Sequence, residues 1–437
     1  MSTTTAHHVP LIGVGEVRHT RLRPRHHAMN TTTAPSVSIP RGAPASARTV
    51  FKLLPRLRHG RLTLHLPDGS VQQYGQGEQP AASLVLHNWK VFGAALKSGD
   101  IGFAESYRDG DWSTANLADL LRVFIRNRRE LESVVYGTWL GRLLYRVRHL
   151  RHRNTKANSR KNIHAHYDLG NAFYERWLDP TMNYSSAWFE GHRQGDLVQA
   201  QQAKVRRALR MAGVAPGQRV LEIGCGWGAL AEMACTDFEA RYVGVTLSTE
   251  QLAWGQTRLA RLAPQHPAAQ QAELRLQDYR DIHDGPFDAI CSIEMVEAVG
   301  QAYWPTYFQA VHRLLKSGGR ACIQSIVIDD ALFERYLNST DFIQQYIFPG
   351  GCLPSSQEFR RQAQAAGLQV VDELAFGPDY AETLRRWRQQ FLAERRRILP
   401  LGFDERFMRL WEFYLAYCEA AFDEANINVV QFTLQKE

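Results

Sequence analysis

Long apolar runs are missing from this sequence. Across its 437 residues, no stretch approaches the roughly 18 apolar residues that a membrane-spanning helix needs. Residues 1–20 also lack the apolar core, roughly 7 residues or more, of a secretory leader. Cysteine is scarce. The six, Cys225, Cys235, Cys291, Cys322, Cys352 and Cys418, are scattered and form no CxxC pair. They read as reduced cytosolic thiols, not as a disulfide framework or zinc site, and no metal centre is expected. No internal repeat is visible. What remains is a globular composition, 44% hydrophobic and 22% charged, on a chain long enough for two domains and a tail.

Acidic residues are absent where basic ones gather. The net charge is +8, but residues 1–67 hold ten Lys/Arg against a single acid, Glu16. Residues 142–161 hold eight Lys/Arg and no acid, so the remaining body is acidic. Such segments attract nucleic acid or an anionic membrane surface, or serve as solvated basic linkers. The 142–161 stretch shows no aromatic–basic interleaving of the single-strand-binding kind and no recognised nucleic-acid motif. No nucleic-acid partner is therefore expected.

Residues 1–47, rich in Thr, Ser, Pro, Ala and His without a hydrophobic period, read as a disordered tail. A small α+β domain is expected over 48–150. It has a strand over 61–66, a turn at Pro67-Asp68-Gly69, apolar segments at 82–86 and 89–96, a loop-like stretch over 102–112, and helix over 115–150. Residues 151–161 form a basic linker. From about residue 196 helices alternate with apolar strands, expected over 219–223, 242–245, 274–276, 287–293, 320–327 and 428–434. One amphipathic helix carries Val205, Ala208, Leu209 and Ala212. Another carries Phe407, Trp411, Tyr414, Leu415, Cys418 and Phe422. Regular βα alternation implies a parallel sheet covered on both faces.

After the first of those strands comes Glu222-Ile223-Gly224-Cys225-Gly226-Trp227-Gly228. Glycines between a strand and a helix let the backbone approach a ligand at the helix N-terminus. Dinucleotide sites space them GxGxxG. Here the spacing is E-x-G-x-G-x-G, which resembles motif I of the class I methyltransferases and suits S-adenosylmethionine. Val243-Gly244-Val245-Thr246-Leu247-Ser248 ends the second strand, where a ribose or methionine group would lie. Asp278-Tyr279 ends the third, where a carboxylate can accept from an adenine amine.

Several further stretches lie in one order: His166-Tyr167-Asp168-Leu169-Gly170, Leu178-Asp179-Pro180, Asn183-Tyr184-Ser185-Ser186-Ala187-Trp188, Tyr346 to Pro354, and Phe376-Gly377-Pro378-Asp379-Tyr380. Together they resemble the cyclopropane-fatty-acyl-phospholipid synthases and the related mycolic acid cyclopropane synthases over roughly 160–437. The stretch from Gly102 to Trp112 looks like the extra lipid-engaging domain of the bacterial phospholipid enzymes. The resemblance implies an α/β fold: a Rossmann-like, seven-stranded, mostly parallel class I methyltransferase sheet over 162–437, with the smaller α+β domain before it. It implies transfer of a methyl(ene) group to the cis double bond of a phospholipid acyl chain. It places S-adenosylmethionine on Tyr184, Ser185, Gly224, Gly226, Thr246, Leu247, Gln251, Asp278 and Tyr279.

In this family the base is a bound bicarbonate. The resemblance carries its holders to Glu297, Tyr380, Ser186 (where the family has cysteine) and Gln324 (where it has histidine). Glu294 competes with Glu297. Glutamine can hydrogen-bond but cannot shuttle a proton at neutral pH, so a methyl-branched product is expected over a cyclopropane. Cys418 aligns with a cysteine sometimes proposed as catalytic, and its place in an amphipathic helix favours a buried structural role. A methyltransferase for another lipid or small molecule, or an inactive membrane-associated S-adenosylmethionine-binding protein, stays open. A cytoplasmic protein on the inner membrane face is expected, with anionic head groups as partners; a homodimer is also open.

At about 1 kcal/mol per Lys/Arg near an anionic surface, the basic segments suffice for reversible attachment. Vesicle sedimentation should therefore show binding to anionic lipid that weakens as salt is added. Binding insensitive to salt contradicts this electrostatic account.

Overall fold

Charged and apolar residues alternate in Arg61-Leu62-Thr63-Leu64-His65, and the chain answers with a strand whose Leu62 and Leu64 face inward. The computed structural model describes residues 39–40, 42–131 and 169–437. Most of the expected tail, the 132–150 part of the expected helix, the basic linker and His166–Asp168 lie outside the described residues. Residues 39–437 form one compact unit.

The first region opens with α1 (Ala45–Phe51), whose Ala47 and Phe51 are fully buried. Ordered packing therefore starts inside the stretch expected as tail. Strands β1 (Arg61–His65), β2 (Val71–Tyr74), β3 (Ala81–Leu86) and β4 (Trp112–Ser113) form a sheet in the order β2-β1-β3-β4. The loop expected over 102–112 is a correction: helix α2 (Lys90–Arg108) runs through most of it. Its backbone leaves helical geometry at Gly99 (φ 62°), which broke the apolar period in the sequence. Beyond the kink, Gly102 sits so close to Ala94 that a Cβ would lie 2.1 Å from its carbonyl oxygen. Ile101, Ala104 and Tyr107 still reach the core. Helix α3 (Leu117–Arg126) begins on its N-cap Asn116 and stops at Asn127. Asn127 is buried and accepts from the backbone N–H groups of Arg58 and His59 at 2.7 and 3.0 Å.

The larger region is a seven-stranded sheet: β5 (Arg219–Ile223), β6 (Arg241–Thr246), β7 (Glu273–Leu276), β8 (Phe287–Ile293), β9 (Leu315–Ile328), β10 (Leu368–Ala375) and β11 (Ile427–Lys436), in the order β10-β11-β9-β8-β5-β6-β7. The pairs β9–β8–β5–β6–β7 are parallel, and β11 runs antiparallel to both its neighbours. Sequence periodicity did not reveal β10, because its apolar and polar residues come in pairs (Val370-Val371, Asp372-Glu373) and its register shifts between Val370 and Asp372. Helices α4 (Leu197–Met211), α5 (Ala229–Thr236), α6 (Thr249–Leu262), α7 (Trp304–Leu314) and α8 (Ser356–Ala365) cover the faces. Helix α9 (Gly377–Ala393) packs on α10 (Glu405–Asp423). The strand order reverses at β5, so the crevice beyond the carboxyl ends of β5 and β8 is where such sheets take ligands.

Helix α10 joins the two regions. It packs on α2 and α3 as well as α9. Tyr107 Oη donates to Glu412 Oε2 at 2.8 Å, Arg122 Nη1 to Asp423 Oδ2 at 2.8 Å and Arg126 Nε to Glu424 Oε2 at 2.7 Å. Aromatic residues of the Gly102–Trp112 stretch form part of this seam. Trp112 is fully buried, stacks on Phe103 with centroids 4.3 Å apart, and donates from Nε1 to Ser106 Oγ. Among the described residues no helix is long and apolar enough to cross a membrane. Trp112→Ala should destabilise the fold by about 3–5 kcal/mol, read by urea unfolding; an unchanged midpoint contradicts a core role.

Candidate functional site

The carboxyl ends of β5 to β8 enclose a cleft of about 170 Å³. It is lined by all the residues expected to hold S-adenosylmethionine: Tyr184, Ser185, Gly224, Gly226, Thr246, Leu247, Gln251, Asp278 and Tyr279. Gly226 has φ 50° and nothing within 4 Å of where a Cβ would stand, so main chain meets ligand directly there. Thr246 Oγ1 donates to Gln251 Oε1 at 3.0 Å, and Ser248 caps α6 by accepting from Gln251 N at 3.2 Å. Asp278 does not face the cleft alone. Arg280 grips its carboxylate through Nε and Nη2 at 2.8 and 2.6 Å. Tyr279 Oη is buried with no hydrogen-bond partner among the described residues. An open glycine face and an orphan hydroxyl fit a polar nucleoside ligand, and the aromatic walls at Tyr184, Trp227 and Tyr303 suit a sulfonium cation.

A second, mainly apolar cavity of about 420 Å³ lies alongside. Its walls come from both regions of the chain: Leu62, Leu64, Leu84 and Phe92 from the first, and Ile326, Phe348, Leu384 and Phe422 from the second. Tyr184, Glu294 and Ala298 line both this cavity and the cleft.

Glu294 is the charged group at that junction. It follows β8 directly and takes a left-handed φ of 52°, rare for a residue with a side chain. Its Oε1 accepts from the backbone N–H of Ser186 at 2.8 Å and from Gln324 Nε2 at 2.7 Å. Its Oε2 accepts from Tyr380 Oη at 2.6 Å. The groups that the resemblance assigns to bicarbonate thus donate to a carboxylate of the chain itself. Ser186 does so through its backbone, while its hydroxyl bonds Ala187 O at 2.9 Å. Burial raises the Glu294 carboxyl above its ordinary range; the Tyr380 hydroxyl, the Lys204 ammonium and the donors on Oε1 oppose that rise.

Glu297 stands one helical turn further and lines the acyl-sized cavity. Its Oε1 accepts from the Ile326 N–H, and its Oε2 is buried without a hydrogen-bond partner among the described residues. Burial, then repulsion from Glu294, pushes its carboxyl up to about 8. Cys418 also lines the cavity, and burial pushes its thiol well above the ordinary thiol range. It is not poised as a thiolate.

Sequence reasoning missed Lys204. It is fully buried on α4, and its Nζ donates to Ser185 Oγ at 2.5 Å and Asn183 Oδ1 at 3.3 Å. It also missed Arg280, and it weighed Glu294 only as a rival to Glu297 on one helical face. The signal available was position: Glu294 is the first residue after β8, at the ligand-binding edge of the sheet.

A family model described as mycolic acid cyclopropane synthetase matches residues 154–432. The tuberculostearic acid methyltransferase UfaA1 of Mycobacterium tuberculosis is 39% identical over 94% of this chain and 97% of its own length. The cyclopropane-fatty-acyl-phospholipid synthase of Escherichia coli K12 is 35% identical over 82% and 89%. Among solved structures, mycolic acid cyclopropane synthase CmaA1 complexed with SAH and CTAB superposes with a TM-score of 0.58 at 33% identity, covering 63% of this chain and 98% of that one. Coclaurine N-methyltransferase, at 18% identity and TM-score 0.58, shares the fold.

The raised Glu297 carboxyl has a consequence for stability. Its protonated form is favoured by the fold, so that contribution is complete at low pH and is lost as pH rises toward about 8. Glu297→Gln, neutral throughout, should gain Tm relative to the natural chain between about pH 5 and about pH 9. A Tm difference that does not change with pH refutes the buried neutral acid.

Proposed function

Because the chain belongs to the mycolic acid cyclopropane synthetase family, we propose that it is an S-adenosylmethionine-dependent C-methyltransferase acting on the cis double bond of an unsaturated phospholipid acyl chain, with Glu294 taking the proton. The observation that carries this reading is Glu294 itself, a carboxylate shared by the cleft and the apolar cavity.

When bound, S-adenosylmethionine supplies an electrophilic methyl group. The residues for holding it are those around Gly224 and Gly226, with Thr246, Gln251 and Tyr279 beside them. The apolar cavity takes the acyl chain and keeps water away from it. Methylating an alkene leaves positive charge on the neighbouring chain carbon, and a neutral product requires loss of one proton. A carboxylate has about four acceptor positions. Three on Glu294 are filled by Ser186 N, Gln324 and Tyr380, leaving room on Oε2 for that proton. These same donors hold the carboxylate still, so little reorganisation accompanies transfer. This reading needs no bound bicarbonate, because the groups expected to hold one already serve Glu294.

The product we infer is a methyl-branched alkene, formed when the proton leaves a chain carbon, or a methylene-bearing chain, formed when a 1,2-hydride shift precedes loss of a proton from the added methyl. The departures at Ser186 and Gln324 support it. The substrate lies in a bilayer, which the protein would reach from its cytoplasmic face through anionic head groups; the basic 142–161 stretch supports that approach.

Incubation of the purified protein with S-adenosylmethionine and unsaturated phospholipid vesicles should give a branched acyl chain by mass spectrometry and NMR. Glu294→Gln should lower kcat by about 10²–10⁴-fold while S-adenosylmethionine still binds. A cyclopropane as sole product sinks the branched reading, and a fully active Glu294→Gln sinks the assignment of the base.

A further inference from the structure

Behind Glu294 a line of hydrogen bonds runs through the sheet to a guanidinium. Arg207 Nη1, on α4, donates to Gln431 Oε1 at 2.7 Å. Gln431 Nε2 donates to Gln324 Oε1 at 3.0 Å and to the main-chain oxygen of Lys204 at 3.2 Å. Gln324 Nε2 then donates to Glu294 Oε1 at 2.7 Å. Gln431 and Gln324 are direct partners in the β11–β9 register, and both are fully buried. Arg207 is held in turn by Asp372 Oδ2 at 2.6 Å from Nη2.

The polarity of this line follows from its outer end. A guanidinium has only donors, so Gln431 must turn its oxygen to Arg207. Its nitrogen then faces Gln324 and the Lys204 carbonyl. Gln324 must accept with its oxygen and can only offer its nitrogen to Glu294. Were Gln324 reversed, its oxygen would face the Glu294 carboxylate and its nitrogen would face another donor. Buried groups set oxygen to oxygen or donor to donor are costly, so one orientation prevails.

We propose that Arg207 and Gln431 are positioning residues for proton transfer, fixing Gln324 as a donor so that the Glu294 carboxyl is held in one orientation. The proposal rests on Glu294 being the proton acceptor. The other groups facing Glu294 are the Lys204 ammonium from α4, the Tyr380 hydroxyl from α9, the Ser186 N–H and, repulsively, Glu297. The Tyr380 hydroxyl is itself close to Tyr184 and Cys418. Substitution at Gln431 leaves all of these in place.

The test is the pH dependence of kcat, measured on the full chain with unsaturated phospholipid vesicles. Gln431→Met is neutral and of similar length but removes the donor. The acid limb should move up, by at most about one pH unit, the scale of the Gln324–Glu294 hydrogen bond that an unpinned Gln324 no longer holds in full, with S-adenosylmethionine affinity unchanged. Gln431→Glu keeps the contact with Arg207 but not the donor to Gln324, and should shift the limb in the same direction. A shift in Gln431→Glu alone would trace to added charge and overturn the proposal. Should Gln431→Met fail to fold, Arg207→Met tests the same line from its outer end: it should shift the limb, while Arg207→Lys, still a donor only, should not. A folded Gln431→Met or Arg207→Met with an unmoved limb overturns the proposal. A Glu294→Gln variant that keeps the acid limb overturns the underlying reading of the base instead.

Discussion

Everything at this site depends on one partly buried carboxyl group, Glu294, and the donors that converge on it. Glu294 accepts from Ser186, Gln324 and Tyr380, which come from a loop before α4, from strand β9 and from helix α9. These segments are far apart in sequence, and the carboxylate ties them together. Bringing an isolated carboxylate out of water is costly unless hydrogen bonds replace its hydration. Here they do, and the backbone at Glu294 accepts a left-handed φ to aim the side chain inward. Strain of this kind, of the order of 1–3 kcal/mol, persists where the surroundings over-determine it.

The topology explains why the cleft and the apolar cavity share a wall. Reversal of strand order at β5 opens the crevice in which sheets of this kind take ligands. Helix α10 then lays Tyr414, Cys418 and Phe422 along the cavity while its outer side is bonded to α2 and α3. The first region is thus not an appendage. Leu62, Leu64 and Leu84, pointing in from β1 and β3, are part of the cavity wall. A chain built from the methyltransferase sheet alone would lack that side of the acyl site.

The sequence displayed the sheet well because its central parallel strands, β5, β6 and β8, are buried runs bounded by turns, and the Gly224–Gly228 turn sits between β5 and α5 as its spacing required. What the sequence concealed was geometry that crosses the fold. Helix α2 was hidden by its kink at Gly99, and β10 by its paired polar residues and register shift. The aromatic residues around Trp112 are core because their partner, Phe413 on α10, lies some three hundred residues away. The residues expected to hold S-adenosylmethionine line one cleft, since they follow strands in register. The carboxyl shared by the cleft and the apolar cavity was not legible. Glu294 and Glu297 are three residues apart, and only the turn after β8 decides which one meets Ser186, Gln324 and Tyr380.

The charges beneath the site constrain what it can hold. Lys204 lies fully buried among Glu294, Asp179 and Glu222. Were every one of these ionised, the site would carry uncompensated negative charge in a medium that screens poorly. Burial relieves this by pushing Glu222 up to about 8, where it accepts from the Tyr242 hydroxyl, and by raising Asp179. The Lys204 ammonium attracts Glu294 and so opposes the rise that burial imposes on its carboxyl. A ligand cation entering the cleft meets Glu294 directly, while the Lys204 ammonium is turned away from it onto Ser185 and Asn183. The ammonium that attracts Glu294 is therefore masked by hydroxyl and amide oxygens from a positively charged guest, while Glu294 itself faces both the cleft and the apolar cavity.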